Sequence, residues 1–137
     1  MVNEWVKVEL YGANGDGNPI RYAISSDVAV SKGAIMQLLT GRATTPASTA
    51  AVAVAGIAAQ DHNPADAETS ISVWTDGRFR AVAGAGFVVG SLLTVSDALY
   101  NQVCGNFAST SDALLAPFAR AEDTAAKGDT ITVRLLR

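Results

Sequence analysis

Trp5 to Leu10 alternates along the chain, with Trp5, Lys7 and Glu9 on one face and Val6, Val8 and Leu10 on the other. That period of two is the mark of a half-buried strand. Pro19 to Ile24 reads as a second strand. The intervening Gly12-Ala-Asn-Gly-Asp-Gly-Asn-Pro19 holds three glycines and two asparagines in eight residues, the composition of a turn or flexible loop. Residues 5–24 are therefore expected to form a hairpin, or an extended arm ordered against a partner.

Ala34 to Leu39 predicts a third strand, with a turn at Thr40-Gly-Arg42. The segment from Thr45 to Ala55 reads two ways, because Thr45 can cap a helix with Pro46 at its first position while the Val-Ala-Val tail suits a strand. A short helix feeding a strand that ends near Ala59 is the expectation. Asp61 to Glu68 predicts an exposed loop. Thr69 to Thr75 and Arg78 to Val82 are strands on either side of Asp76-Gly77, a two-residue pair favoured in hairpin turns. Beyond them, Asp97 to Val103 reads as a turn and strand or as a helical turn. Ser109 to Leu115 reads as a short capped helix, and Phe118 to Ala121 and Thr130 to Leu136 as closing strands.

The chain repeats itself. Gly33-Ala-Ile-Met-Gln-Leu38 is answered by Gly90-Ser-Leu-Leu-Thr-Val95, and the stretch Gly56 to Val73 by Phe118 to Val133. In the latter pair Ile57-Ala58 is matched with Phe118-Ala119 and Thr69 to Val73 with Asp129 to Val133. Two copies of about fifty residues, each too small to bury its own core comfortably, should pack as one β-rich unit. The expected organisation is an N-terminal strand or arm with its glycine-rich loop over 1–19, then one domain over 20–137. Its similar halves fall at about 28–82 and 85–136.

Composition narrows the function. Of 137 residues, 49% are hydrophobic but only 7% aromatic and 17% charged, which suits thin, closely packed sheets better than a roomy pocket. A net charge of -3 with scattered Lys and Arg argues against a nucleic-acid partner, which needs a clustered basic footprint. The N-terminus lacks the basic and apolar regions of a signal peptide. No run reaches the roughly 18 to 20 apolar residues of a membrane span. Synthesis in a cytoplasm, with no membrane partner, is the expectation. The single cysteine, Cys104, cannot pair within the chain.

Candidate chemistry is sparse. His62 is the only histidine, and a nucleophilic pair with Cys104 would make a small cysteine hydrolase. No elbow or helix start flanks Cys104 to activate it, so a solvated loop histidine and a small buried or half-buried cysteine are expected. Asp61, Asp66 and Glu68, like Glu122, Asp123 and Asp129, lie in equivalent loops, but neither run has the alternating oxygen ligands and fixed glycine of a calcium loop. Asp16 and Asn18 have calcium-loop spacing without the bidentate glutamate. Gly84, Gly86 and Gly90 miss the dinucleotide spacing by one and precede a strand. No catalytic, metal or cofactor site and no small-molecule substrate is expected.

The order of several motifs resembles a family. Val30-Ser-Lys-Gly33 before an apolar strand, Val54-Ala-Gly-Ile-Ala-Ala59, Ser70 to Arg80, Gly90-Ser-Leu-Leu-Thr-Val95 and Thr130-Ile-Thr-Val-Arg-Leu-Leu136 together look like the small capsid decoration, or cement, proteins of tailed bacteriophages. The resemblance covers roughly residues 20 to 136, and the part from Val54 to Arg80 is similar to the head-decoration protein of lambda-like phages. It implies a mainly β, compact β-barrel or β-tulip-like domain with one or two short helices, usually a trimer. Such a domain would sit on the outer surface of the virion, binding the expanded head at local three-fold positions and reinforcing the major capsid protein. It also implies no enzymatic role.

Trp5, Val6, Val8 and Leu10 are the candidate capsid-facing residues, with Ile20 and Tyr22 where the arm meets the domain. A terminal alternating strand suits addition to a partner's sheet, and equally an ordinary edge strand. Asp61, His62, Asn63, Asp66 and Glu68 form a candidate outward or inter-subunit surface. The alternative is another virion surface module, such as a head-fibre base or an adhesin-like β domain.

Overall fold

The computed structural model describes residues 3–9, 19–47, 53–96, 101–105 and 117–136. Eleven strands lie among them: β1 Val6–Glu9, β2 Ile20–Ala23, β3 Ile35–Leu39, β4 Ala43–Pro46, β5 Val54–Ala58, β6 Ser70–Trp74, β7 Arg78–Ala83, β8 Leu92–Val95, β9 Gln102–Gly105, β10 Ala119–Ala121 and β11 Thr130–Leu135. The helical content among the described residues is one 3-10 turn at Pro64–Asp66. The expected mainly β fold is what the chain adopts.

Five strands close into a barrel in the order β2-β4-β3-β5-β6. The other sheet runs β1-β7-β11-β10-β8-β9, and a parallel pairing between β7 and β9 brings it round on itself. The two rings have the same wiring. In each, the first and third strands pair in parallel (Ala23 with Ala43; Val82 with Gln102) and the remaining neighbours are antiparallel. Details repeat as well. Isolated bridges join Val30 to His62 and Phe87 to Ala125, Gly33 and Gly90 share φ values of 94° and 86°, and Arg42 and Asn101 share left-handed φ values of 60° and 56°.

These correspondences confirm the matching of Gly33–Leu38 with Gly90–Val95 and of Thr69–Val73 with Asp129–Val133, but they correct the third match. Met36 faces Gly56 and Leu93 faces Ala119, so the counterpart of Ile57 is Arg120 rather than Phe118. Both alignments keep side chains on the same faces, and only strand register separates them. His62 likewise has a counterpart, Ala125.

The halves also divide elsewhere. The copies run from Ile20 to Trp74 and from Arg78 to Leu135, not 28–82 and 85–136, because β7 opens the second ring instead of closing the first. β6 pairs with β2 and β5, while β7 pairs with β1, β11 and β9. Asp76-Gly77 thus joins two rings rather than two strands of a hairpin. The first two strands form no hairpin either: β1 lies against β7 and β2 against β6. Thr45 and Pro46 belong to β4, where a helix start was expected. The helix expected at 109–115 and the spacing at Asp16 and Asn18 fall outside the described residues.

Two cores result. One fills the first ring with Ile24, Val30, Ala34, Met36, Ala58, Ile71 and Val73. The larger joins the second ring to the outer side of the first, where Ile35, Ile57 and Trp74 pack with Phe79, Leu93, Val103, Phe118 and Val133. Alternation along β3 sends Met36 inward and Ile35 outward into this seam. Each such side chain removed from water contributes about 1.5–3 kcal/mol.

Candidate interaction surfaces

The N-terminal strand divides by face opposite to a docking arm led by Trp5. Trp5 is only 3% exposed, with its ring centroid 5.9 Å from Phe79 and 5.6 Å from Phe118. Its amide donates to the Gly33 carbonyl at 2.7 Å, and its indole Nε1 donates to the Asn101 carbonyl at 3.0 Å. Asn101 is itself buried, and its Oδ1 accepts from the Ile35 amide at 3.0 Å. Trp5 is therefore a bolt between the two rings and is withdrawn from the set of capsid-facing candidates. Val6 and Val8 remain outside, 56% and 49% exposed. Leu10 lies outside the described residues. Lys7 places its ammonium 5.3 Å from the Trp74 ring, and Lys32 does so at 5.6 Å, covering the polar end of the seam with cation–π contacts.

Ile20 and Tyr22 line an open groove of about 450 Å³ together with Ala55, Thr75, Asp76 and Leu136. Its position has a physical origin in the duplication. Ile20 and Ala55 occupy in the first copy the places that Phe79 and Phe118 hold in the second, where Trp5 fills the space between them. Smaller side chains and no Trp5 equivalent among the described residues leave the first copy's site open.

The acidic loop is exposed at Asp61, Asn63, Asp66 and Glu68. Asn63 caps the 3-10 turn by accepting from the Ala65 amide at 3.0 Å, and Asp61 accepts from the Lys32 amide at 2.7 Å. His62 does not share this surface. It is 3% exposed, with Nδ1 2.5 Å from the Val28 carbonyl and Nε2 2.8 Å from the Glu68 carbonyl. The sequence suggested a solvated histidine because its neighbours are polar, but the bridge to Val30 turns this one side chain inward. His62 braces a loop, and it lies in the first copy while Cys104 lies on β9 of the second. Replacing His62 with alanine removes the ring held between the Val28 and Glu68 carbonyls and the N–H it donates to one of them, and should cost about 1–3 kcal/mol, measurable by urea unfolding. Unchanged stability would remove this structural role. Among the described residues, no three His, Cys, Asp or Glu side chains gather as a metal site.

One surface escaped the sequence reading. Arg120 stands directly opposite Arg134, and Arg134 directly opposite Arg78. Arg80 lies one outward position along β7 from Arg78, paired with Val6 and Thr132. Arg120, Arg134 and Arg80 are exposed, and Arg78 is half-buried. The signal lay in the alternation of these strands, but only the order β7-β11-β10 turns four dispersed arginines into one face. Glu122 accompanies them, pairing with Arg78 at 2.6 Å.

No family model matches the chain, and no curated protein sequence does. Its fold is similar to that in the crystal structure of the head fiber gp8.5 N base of bacteriophage phi29, with 14% identity, a TM-score of 0.53, and coverage of 86% of this chain and 92% of that chain.

Proposed function

We propose that this protein is a structural module of a phage virion surface, of the head-fibre-base kind, that attaches to an assembled head. The observation that carries the reading is the shared fold over nearly the whole of a head-fibre base. The molecule's own features support it. Two closed rings leave few open sheet edges, and exposed apolar side chains remain at Val6, Val8 and Ile20, as well as at Leu38, Leu39, Val88 and Val89, where they are available for contact with another protein. Attachment to the assembled lattice alone would stabilise that state by mass action, and several copies acting together would multiply modest contacts. The nearest competing role is the cement protein at local three-fold positions of expanded heads, suggested by the order of motifs along the sequence.

Imaging purified protein mixed with expanded and with unexpanded heads separates these roles. Density at sparse, discrete sites is expected for a fibre base, whereas occupancy of every local three-fold site on expanded heads alone would favour cement. Absence from both kinds of head would sink the proposal. A double variant, Val6→Glu with Val8→Glu, should keep its thermal midpoint within a few degrees, since exposed substitutions change stability by about 0.5 kcal/mol or less. It should lose head binding. Retained binding would exclude β1 as the attachment strand.

A further inference from the structure

We propose that the first ring accepts an extended segment of another protein as an added strand on the outer edge of β2, with a large apolar side chain of that segment seated in the adjoining groove. The duplication shows what belongs there, because the second ring has the same edge and the same place already filled. Register equates Ile20, Arg21, Tyr22 and Ala23 with Phe79, Arg80, Ala81 and Val82. The first set faces Val73, Ser72, Ile71 and Ser70, and the second faces Val133, Thr132, Ile131 and Thr130.

Backbone groups along an antiparallel strand point alternately to its two sides. The Ile24 amide donates to the Thr69 carbonyl and the Ala83 amide to that of Asp129. Arg21 and Arg80, an odd number of residues away, therefore turn their N–H and C=O to the opposite edge. Farther along, each ring closes that edge itself, with β4 at Ala23 and with β9 at Val82. At Arg80 the edge is covered by β1, through Val6. At Arg21 no described residue pairs with it.

The side chains follow the backbone. In the second ring the residue before Val6 is Trp5, which fills the space between Phe79 and Phe118. In the first ring Ile20 and Ala55 stand in those places and border the groove of about 450 Å³, and Tyr22 lines it where the second ring has Ala81. Ile20 is 41% exposed there. A sheet edge beside an apolar recess is what strand addition uses, with main-chain bonds supplying affinity and a seated side chain supplying selection. The open stretch, Ile20 to Tyr22, is short, and short edges resist pairing with copies of themselves. A second copy's β1 is moreover held in its own seam by Trp5. The occupant is thus a segment of a different protein, alternating like β1 and apolar on the face toward the groove.

A synthetic peptide with the sequence of residues 3–9, Asn-Glu-Trp-Val-Lys-Val-Glu, is the probe, because this sequence fills the equivalent place in the second ring. The tethered copy outcompetes free peptide there, which leaves the first ring's site. Hydrogen exchange of the full-length protein should show a fast amide at Arg21 and a protected one at Arg80. The peptide should bind saturably and slow Arg21 by about tenfold or more without changing Arg80. Peptide carrying Trp5→Ser should bind at least about tenfold more weakly, as expected for loss of an aromatic anchor. In the protein, Arg21→Pro removes an outward N–H at an edge position, where proline is tolerated. By calorimetry it should abolish peptide binding while the thermal midpoint stays within a few degrees. Ala55→Trp, which fills the groove and spares the backbone, should abolish binding as well. An Arg21 amide protected in the free chain would assign the edge to another segment of the same chain, and protection that grows with protein concentration would assign it to a second copy. Either result overturns the proposal. So would an Arg21 amide that stays fast in peptide, or equal binding of the Trp5→Ser peptide. None of these readouts involves heads, so the virion role stands or falls separately.

Discussion

Trp5→Ala is expected to lower the unfolding free energy by about 3–5 kcal/mol, the range for removing a buried aromatic ring, and to reduce the thermal midpoint by roughly 10–20 °C. The ring fills the space between Phe79 and Phe118, and its indole hydrogen satisfies the Asn101 carbonyl. Both losses fall on the seam that holds the rings together. A capsid anchor would behave differently: its loss would weaken head binding and leave the isolated protein as stable as before. Urea unfolding of the variant alone decides between them, and a change below about 1 kcal/mol would return Trp5 to the surface. The same argument governs truncation. Deleting residues 1 to 18 removes Trp5 together with Val6 and Val8, so lost binding would report lost structure, whereas the paired valine substitutions test the strand's outer face alone.

Gly56→Ala should be comparably severe. A Cβ at this position would lie 2.0 Å from the Trp74 carbonyl oxygen and 2.8 Å from a Val73 methyl, at a φ of +155°. The register of β3 against β5 shifts between Met36 and Gln37, and this irregularity presses the glycine backbone onto β6. Relieving the overlap means moving one of three hydrogen-bonded strands of a closed ring. Backbone strain and overpacking together put the cost on the order of 4 kcal/mol. The second ring offers an internal comparison, because the same place there is held by Ala119, which is fully buried. Ala119→Gly should therefore cost no more than about 1 kcal/mol. Equal losses at the two positions, measured by calorimetry, would show that the close approach at Gly56 is not what constrains it.

Much of the fold was legible because strands announce themselves locally. The alternation in Arg78–Val82 and Thr130–Leu136 reproduces the observed burial residue by residue, since a period of two depends only on the pleat. The duplication was legible for a related reason: Gly33 and Gly90 mark the same positive-φ turn before the same strand. Pairing was not legible. Asp76-Gly77 has the sequence of a hairpin turn, and two alternating strands flank it, yet those strands bond to other partners because each is needed to close its own ring.

The candidate surfaces divide along the same line. Val6 and Val8 stand outside although they were placed on the strand's apolar face, and Trp5 is buried although it shared a face with Lys7 and Glu9. Alternation assigns residues to two faces without saying which one meets the core. His62 illustrates the converse. Its polar neighbours predicted exposure, but a two-residue bridge to Val30 was enough to bury one side chain in an otherwise exposed loop.

The sequence by itself determined the mainly β class, the positions of most strands and the existence of two similar copies. These follow from local preference and side-chain period, which act within a few residues. Only the tertiary structure decided that the copies are separate rings divided at Thr75–Gly77, that Trp5 bolts them together, and that Arg78, Arg80, Arg120 and Arg134 form one face. Those features depend on which strands lie side by side, and that is set by closing each ring and burying Ile35, Ile57 and Trp74 in a shared seam, a balance struck over the whole chain.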